Sequence, residues 1–87
     1  MYHKVEKVET LPAFVIRIQF KNGMVKYYKV SSLFEKWDVF KELKDIPGLF
    51  DQVKVDTGGY GISWNDHIDL ECNELWEYGK ETMSDLD

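Results

Sequence analysis

Residues 50–76 read FDQVKVDTGGYGISWNDHIDLECNELW. The order of residue types predicts a strand, a glycine turn, a return strand ending at Trp64, a reversal at Asn65-Asp66 and a short helix. Paired glycines at 58 and 59 suit the primed hairpin turns, which need positive φ at their centre. With those two as the loop, Thr57 opposes Tyr60, Val55 opposes Ile62 and Val53 opposes Trp64. Period-two alternation then gathers Val53, Val55, Ile62 and Trp64 on one face and Lys54, Asp56, Gly61 and Ser63 on the other. A slip of one residue would bury Lys54 and Asp56, so this phasing is strongly specified. Beyond the reversal, Asp69 is placed to N-cap the helix and Glu71 adds favourable charge to its first turn. Cys72, Leu75 and Trp76 make its inward stripe, and Gly79 stops it.

A chain of 87 residues makes one small domain, and burial is limited to about 60–65% of the unfolded surface. Its 15% aromatic content compensates, because Phe, Tyr and Trp bury the most area per ordered residue. The single cysteine excludes an internal disulfide and fits a reducing, cytoplasmic setting. No apolar run approaches the ~20 residues of a membrane helix, and no signal peptide is evident. The net charge of −5 is unevenly spread. Residues 1–44 carry nine Lys/Arg and five Asp/Glu, whereas residues 45–87 carry two and eleven. The halves therefore stand at +4 and −9, which suits either a basic face for an acidic partner or mutual compensation on folding.

Ahead of the quoted stretch, Lys4–Val8 alternates loosely and predicts an edge strand whose charges discourage unwanted pairing. Leu11-Pro12 interrupts, and a hairpin follows around Asn22-Gly23. With Asn22 and Gly23 alone as the loop, Phe20 opposes Val25 and Ile18 opposes Tyr27 on the core side. Arg17 then opposes Tyr28 on the outer side, beside Gln19, Lys21, Met24 and Lys26, in reach of a cation–π pair. Ser32-Leu33-Phe34-Glu35 has the spacing of a capping box and predicts a helix with Leu33, Trp37, Phe40 and Leu43 inward. Asp38 offers a second start, so one bent helix and two short ones are both open. Ile46-Pro47-Gly48 ends either version. Residues 80–87 are polar and acidic and are expected to fray outside a domain spanning 1–79. The expected fold is α+β: an antiparallel sheet of about five strands, two hairpins plus an N-terminal strand, with two or three short helices on one face.

Several motifs in this order resemble a small bacterial family catalogued as domain of unknown function 2442. The matching pieces are Phe20-Lys21-Asn22-Gly23, Phe50 through Asp56, Gly61-Ile62-Ser63-Trp64 and Ile68-Asp69-Leu70, covering Val5 to Gly79. The resemblance implies an α+β fold. It also implies a context in which some members are joined to a helix-turn-helix domain and others are encoded beside a second small protein in toxin–antitoxin-like pairs. It supplies no activity and no catalytic residue. This chain carries Asn65 where relatives often have proline, and no helix-turn-helix pattern lies within it.

Four chemistries bear on these residues. Asp56, Asp66, His67 and Asp69, with Glu71 and Glu74 nearby, would hold a divalent cation or serve an enzyme if they converged. Their spacing matches neither a calcium loop nor a zinc signature, and each has an ordinary local role as turn acid, cap or first-turn charge. Nucleophilic catalysis would need a nucleophile beside a base, but Cys72 falls on the core face of its helix and His3 and His67 lie apart. Gly58-Gly59-Tyr60-Gly61 lacks the Lys-Ser/Thr ending of a phosphate loop and joins two strands. Arg17, Lys21, Lys26, Tyr28 and Lys29 would offer charge and stacking to nucleic acid, but the acidic total opposes phosphate. The expectation is a non-enzymatic protein-binding or regulatory module without cofactor, pairing with an operon neighbour or with itself. Its candidate interface is Arg17, Lys26 and Tyr28.

Overall fold

The computed structural model describes residues 1–86. The fold is α+β, and its strands divide between two three-stranded antiparallel sheets rather than forming one sheet of about five. The first contains β1 (Val5–Leu11), β2 (Val15–Phe20) and β3 (Val25–Lys29), with β2 central. The second contains β4 (Lys54–Val55), β5 (Gly61–Ser63) and β6 (Asp69–Glu71), with β5 central. β4 lies against β1, so the two sheets meet edge to edge. Two short helices, α1 (Glu42–Asp45) and α2 (Cys72–Tyr78), complete the regular structure.

The closing hairpin keeps the expected register, with Val55 opposite Ile62 and Lys54 opposite Ser63. Ile62 and Trp64 are buried, Val53 and Val55 pack against the core, and Lys54 is exposed. The loop is longer than two residues, however. Asp56 donates to Gly61 O at 2.9 Å and Gly59 donates to Asp56 O at 2.8 Å, so residues 57–60 form the connection. Gly58, at φ 80 and ψ −6, occupies the third position of a type II turn, which needs positive φ. Register survives because the loop grows symmetrically. Asn65 then makes the reversal: its Oδ1 accepts from the His67 and Ile68 N–H groups at 2.8 and 3.0 Å.

The first hairpin departs from expectation. Ile16 opposes Tyr28, Arg17 opposes Tyr27 and Ile18 opposes Lys26, a shift of one residue along β3. Gly23 alone has positive φ, at 92°, and Asn22 does not, which excludes a two-residue primed turn. Phe20 donates to Met24 O at 2.8 Å and Gly23 donates to Phe20 O at 2.9 Å, closing a three-residue loop, Lys21-Asn22-Gly23. The shift reverses the faces of β3. Tyr28 is buried and Tyr27 takes the place beside Arg17, so the Arg17–Tyr28 stack does not form.

Two helix expectations also change. Ser32 Oγ donates to Lys29 O at 2.7 Å instead of capping a helix, and Trp37 is extended at φ −136 and ψ 122. The stretch is therefore broken: a 3-10 turn at Val30–Leu33, another at Asp38–Lys41, then α1. Leu33, Phe40 and Leu43 are buried as expected, but Trp37 is 45% exposed. In the last part of the chain Asp69 belongs to β6, and α2 starts three residues later, at Cys72. Pairing of Ile62 with Leu70 commits that stretch to the sheet before a helix can begin. Cys72 and Leu75 do face inward, and Gly79 does end the helix.

One core joins these pieces. Ile16, Ile18, Phe20 and Val30 from the first half meet Ile62, Trp64, Ile68 and Leu75 from the second. Trp64 satisfies its indole N–H by donating to Phe50 O at 2.8 Å. The β1–β2 link is strained, with Ala13 and Phe14 at φ 64 and 59; the Phe14 ring is held edge-on by Phe34 and Phe50 at 5.3 and 5.1 Å. Beyond Gly79, Lys80 pairs with Tyr27 and Met83–Leu86 forms a 3-10 turn, so ordered pairing continues past the expected boundary. Asp87 lies outside the described residues.

Two glycine substitutions separate backbone conformation from crowding. A Cβ on Gly23 meets nothing within 4 Å, so Gly23→Ala carries only the left-handed cost of about 1–2 kcal/mol. A Cβ on Gly59, at φ 81, lies 2.6 Å from Val5 O, so Gly59→Ala should lower the urea midpoint distinctly further. Equal midpoints would show that the Val5 carbonyl yields without cost.

Candidate functional site

β3 and α2 are joined by two polar anchors that exist because of the shifted register. Lys26 lays its ammonium 4.2 Å above the Trp76 ring and donates to Trp76 O at 2.6 Å. That carbonyl lies in the last turn of α2, where a cation is favoured both by the hydrogen bond and by the helix dipole. Tyr28 Oη donates to Glu74 Oε2 at 2.9 Å. Burial, then the Glu74 bond and charge, pushes the Tyr28 phenol well above its ordinary range. Trp76 is further held by the parallel His3 ring at 3.9 Å and by the Phe20 edge at 5.0 Å. Arg17 stays on the outer face, 3.5 Å from Glu9. The candidate trio is thus divided: Lys26 and Tyr28 bind α2, and Arg17 lines a separate hollow of about 450 Å³ between β1, β2 and β4.

Beside the Tyr28–Glu74 pair opens a cleft of about 370 Å³. Its floor is Tyr28, Glu74 and Leu33, and its walls carry Lys29, Lys36 and Lys80, with Ser32, Tyr78 and Leu86 at the rim. The lysines arrive from the end of β3, the turn after residue 33 and the strand-like exit from α2. Lys36 also lies 5.0 Å above the Trp37 ring. Such a cleft is suited to anionic groups, above all carboxylates carried on a chain that can also cover its apolar rim. Sequence reasoning missed Lys36 and Lys80. The one available signal was the choice of loop length at Lys21-Asn22-Gly23, which decides that Tyr28 points toward α2.

The acidic residues are dispersed instead. Asp56 is half-buried and accepts from Ser63 Oγ at 2.7 Å. Asp66 and His67 are exposed on the reversal, Asp69 and Glu71 are exposed along β6, and Glu74 is bound to Tyr28. Among the described residues no three His, Cys, Asp or Glu side chains are arranged to hold a metal ion. Asp56 is thus turned toward Ser63, while the Asx turn and β6 leave Asp66, His67 and Asp69 separately exposed. Cys72 is fully buried, and burial followed by the Glu71 charge pushes its thiol up, away from the reactive thiolate. No helix among the described residues is long and apolar enough to cross a membrane.

The Tyr28 shift carries a pH dependence. Its folded phenol titrates above the unfolded value of 10.0, so its contribution is complete below about pH 10 and is lost as pH rises beyond it. Wild-type stability should fall more steeply above pH 10 than that of Tyr28→Phe, as read by urea midpoints across an alkaline series. Parallel slopes would remove Tyr28 as the titrating group.

No curated protein and no solved structure matches the chain. A family model described as "Protein of unknown function (DUF2442)" matches residues 5–81, from the start of β1 to just past the Lys80 bridge. The match spans nearly the whole chain and both sheets, and the protein belongs to this family.

Proposed function

We propose that this protein is a non-enzymatic binding module that docks onto another polypeptide through the lysine cleft. The observation that carries this reading is the meeting of Lys29, Lys36 and Lys80 around one concave surface in a chain whose net charge is −5. Gathered cations on an otherwise acidic molecule favour an acidic partner in both encounter and register. Tyr78, exposed at the cleft, adds aromatic surface of the kind that anchors such contacts. Asp66, His67 and Asp69 are exposed on the reversal and along β6, and Cys72 is buried, an arrangement that suits a binding surface better than a reaction centre. Of the original trio, Tyr28 contributes as the floor of the cleft and Lys26 by fixing α2 behind it, while Arg17 lies outside. The partner is the product of a neighbouring gene, in the manner that the family context suggests.

Co-expression with that product should yield a complex that co-purifies at equal stoichiometry. Lys29→Glu with Lys36→Glu should weaken it by about tenfold or more, whereas Arg17→Glu should change it little. Sedimentation showing only monomers of each chain would overturn the reading.

A further inference from the structure

β1 and β4 meet at a seam that no ladder closes. Lys21 donates to Lys4 O and Phe20 to Met24 O, so Gln19, Arg17 and Val15 direct their backbone groups to β1, where they pair with Lys7, Glu9 and Leu11. Val8 therefore turns its N–H and C=O away from β2, toward β4. From the other side, the Asp56–Gly61 bond commits Lys54 to β5 and leaves Val53 and Val55 facing β1. Among the described residues no backbone hydrogen bond crosses from β1 to β4. The half-buried Val8, Val53 and Val55 line the hollow of about 450 Å³ at this seam with apolar surface. Alternation sets charged groups around it. Lys7 stands opposite Gln19 and Glu9 opposite Arg17 on the outer face of the first sheet, and Lys54 joins them from β4. Arg17 Nη1 lies 3.5 Å from Glu9 Oε1, a solvent-exposed pair that contributes little. Among the described residues Lys7 and Lys54 form neither an ion pair nor a hydrogen bond. Three cations and one carboxylate thus leave two positive charges unbalanced beside an apolar lining.

We propose that this hollow binds a small phosphate monoester: the phosphoryl group sits among Lys7, Arg17 and Lys54, and the organic group it esterifies covers Val8, Val53 and Val55. The site goes beyond the docking reading and is independent of it, because it uses a different surface. A phosphate monoester carries a charge of about −1.5 to −2 at pH 7, which matches the two unbalanced cations. The Arg17 guanidinium offers paired N–H donors to two phosphate oxygens, whereas the lysines add charge with freely turning donors. The loose Glu9 contact yields to the closer dianion. A volume of about 450 Å³ falls within the range of small-molecule sites, roughly 300–1,000 Å³. A nucleic-acid strand would run beyond the hollow onto a molecule of net charge −5, which repels a polyanion.

Phenyl phosphate is the probe, titrated at low ionic strength into the isotope-labelled full-length chain and followed by amide shifts. Saturating shifts should centre on Val8, Gln19 and Val55 and leave Tyr28 and Lys80 unmoved. Inorganic phosphate lacks the apolar group and phenylacetate lacks the second charge, so each should bind about tenfold more weakly. Benzylammonium should not bind. Arg17→Gln and Lys54→Gln should each weaken phenyl phosphate about tenfold, and because both side chains lie at the surface their urea midpoints should stay close to wild type. Arg17→Lys keeps the charge but not the planar fork and should fall between wild type and Arg17→Gln. Shifts that do not saturate, shifts centred on the lysine cleft, or equal affinity for phenylacetate would each overturn the assignment. So would unchanged affinity in both glutamine variants, or tighter binding of a random single-stranded oligonucleotide than of phenyl phosphate. The neighbouring-gene complex is read separately, through Lys29 and Lys36, so failure of this site leaves the docking reading standing.

Discussion

The loop Lys21-Asn22-Gly23 governs which side of β3 faces the interior, and both anchors of α2 depend on it. Gly23 takes the left-handed conformation alone, and Phe20 and Met24 close the loop around it. From there alternation is compulsory: Tyr28 turns inward opposite Ile16 and Lys26 opposite Ile18. Each then meets α2 at a point where a polar group is needed, Lys26 at a last-turn carbonyl and Tyr28 at a carboxylate. A loop one residue shorter would send both side chains to the outer face and leave α2 without either contact.

The core binds two halves of opposite charge. Ile16, Ile18 and Phe20 meet Ile62, Ile68 and Leu75 without any buried polar or charged residue among the described ones. Charge is therefore settled at the surface, where exposed pairs contribute little and position matters more than number. Lys29 and Lys36 of the basic half meet Lys80 of the acidic half around the cleft beside Tyr28 and Glu74, whereas Asp66, Asp69 and Glu71 are spread along a turn and an edge strand. Concentration on a concave surface is what a binding site requires, and dispersal on a convex one is what solubility requires.

Much of the fold was legible along the chain. The phasing of Val53 through Trp64 followed from alternation, because only one register keeps Lys54 outside, and it held even though the loop proved to be four residues long. The inward stripe of Cys72 and Leu75 followed from helical spacing, although the helix started later than Asp69. The capping-box pattern at Ser32 misled because the Lys29 carbonyl lies within reach of the same hydroxyl, and Trp37 adopts an extended backbone. Local hydrogen-bond choices of this kind differ by little and are decided by what else must be packed.

The site was less legible than the fold. Hydrophobic alternation, turn residues and helix stops are local, so residue order alone marked both hairpins, most of the core and the exposure of Asp66, Asp69 and Glu71. Whether Asn22-Gly23 makes a loop of two residues or three is a choice between turns of similar energy, and contacts with α2, fifty residues away at Lys26 and Trp76, favour the second. The convergence of Lys29, Lys36 and Lys80 is likewise a property of the assembled surface. No periodicity links those positions, because what joins them is the return of the chain after Gly79 to the edge of β3.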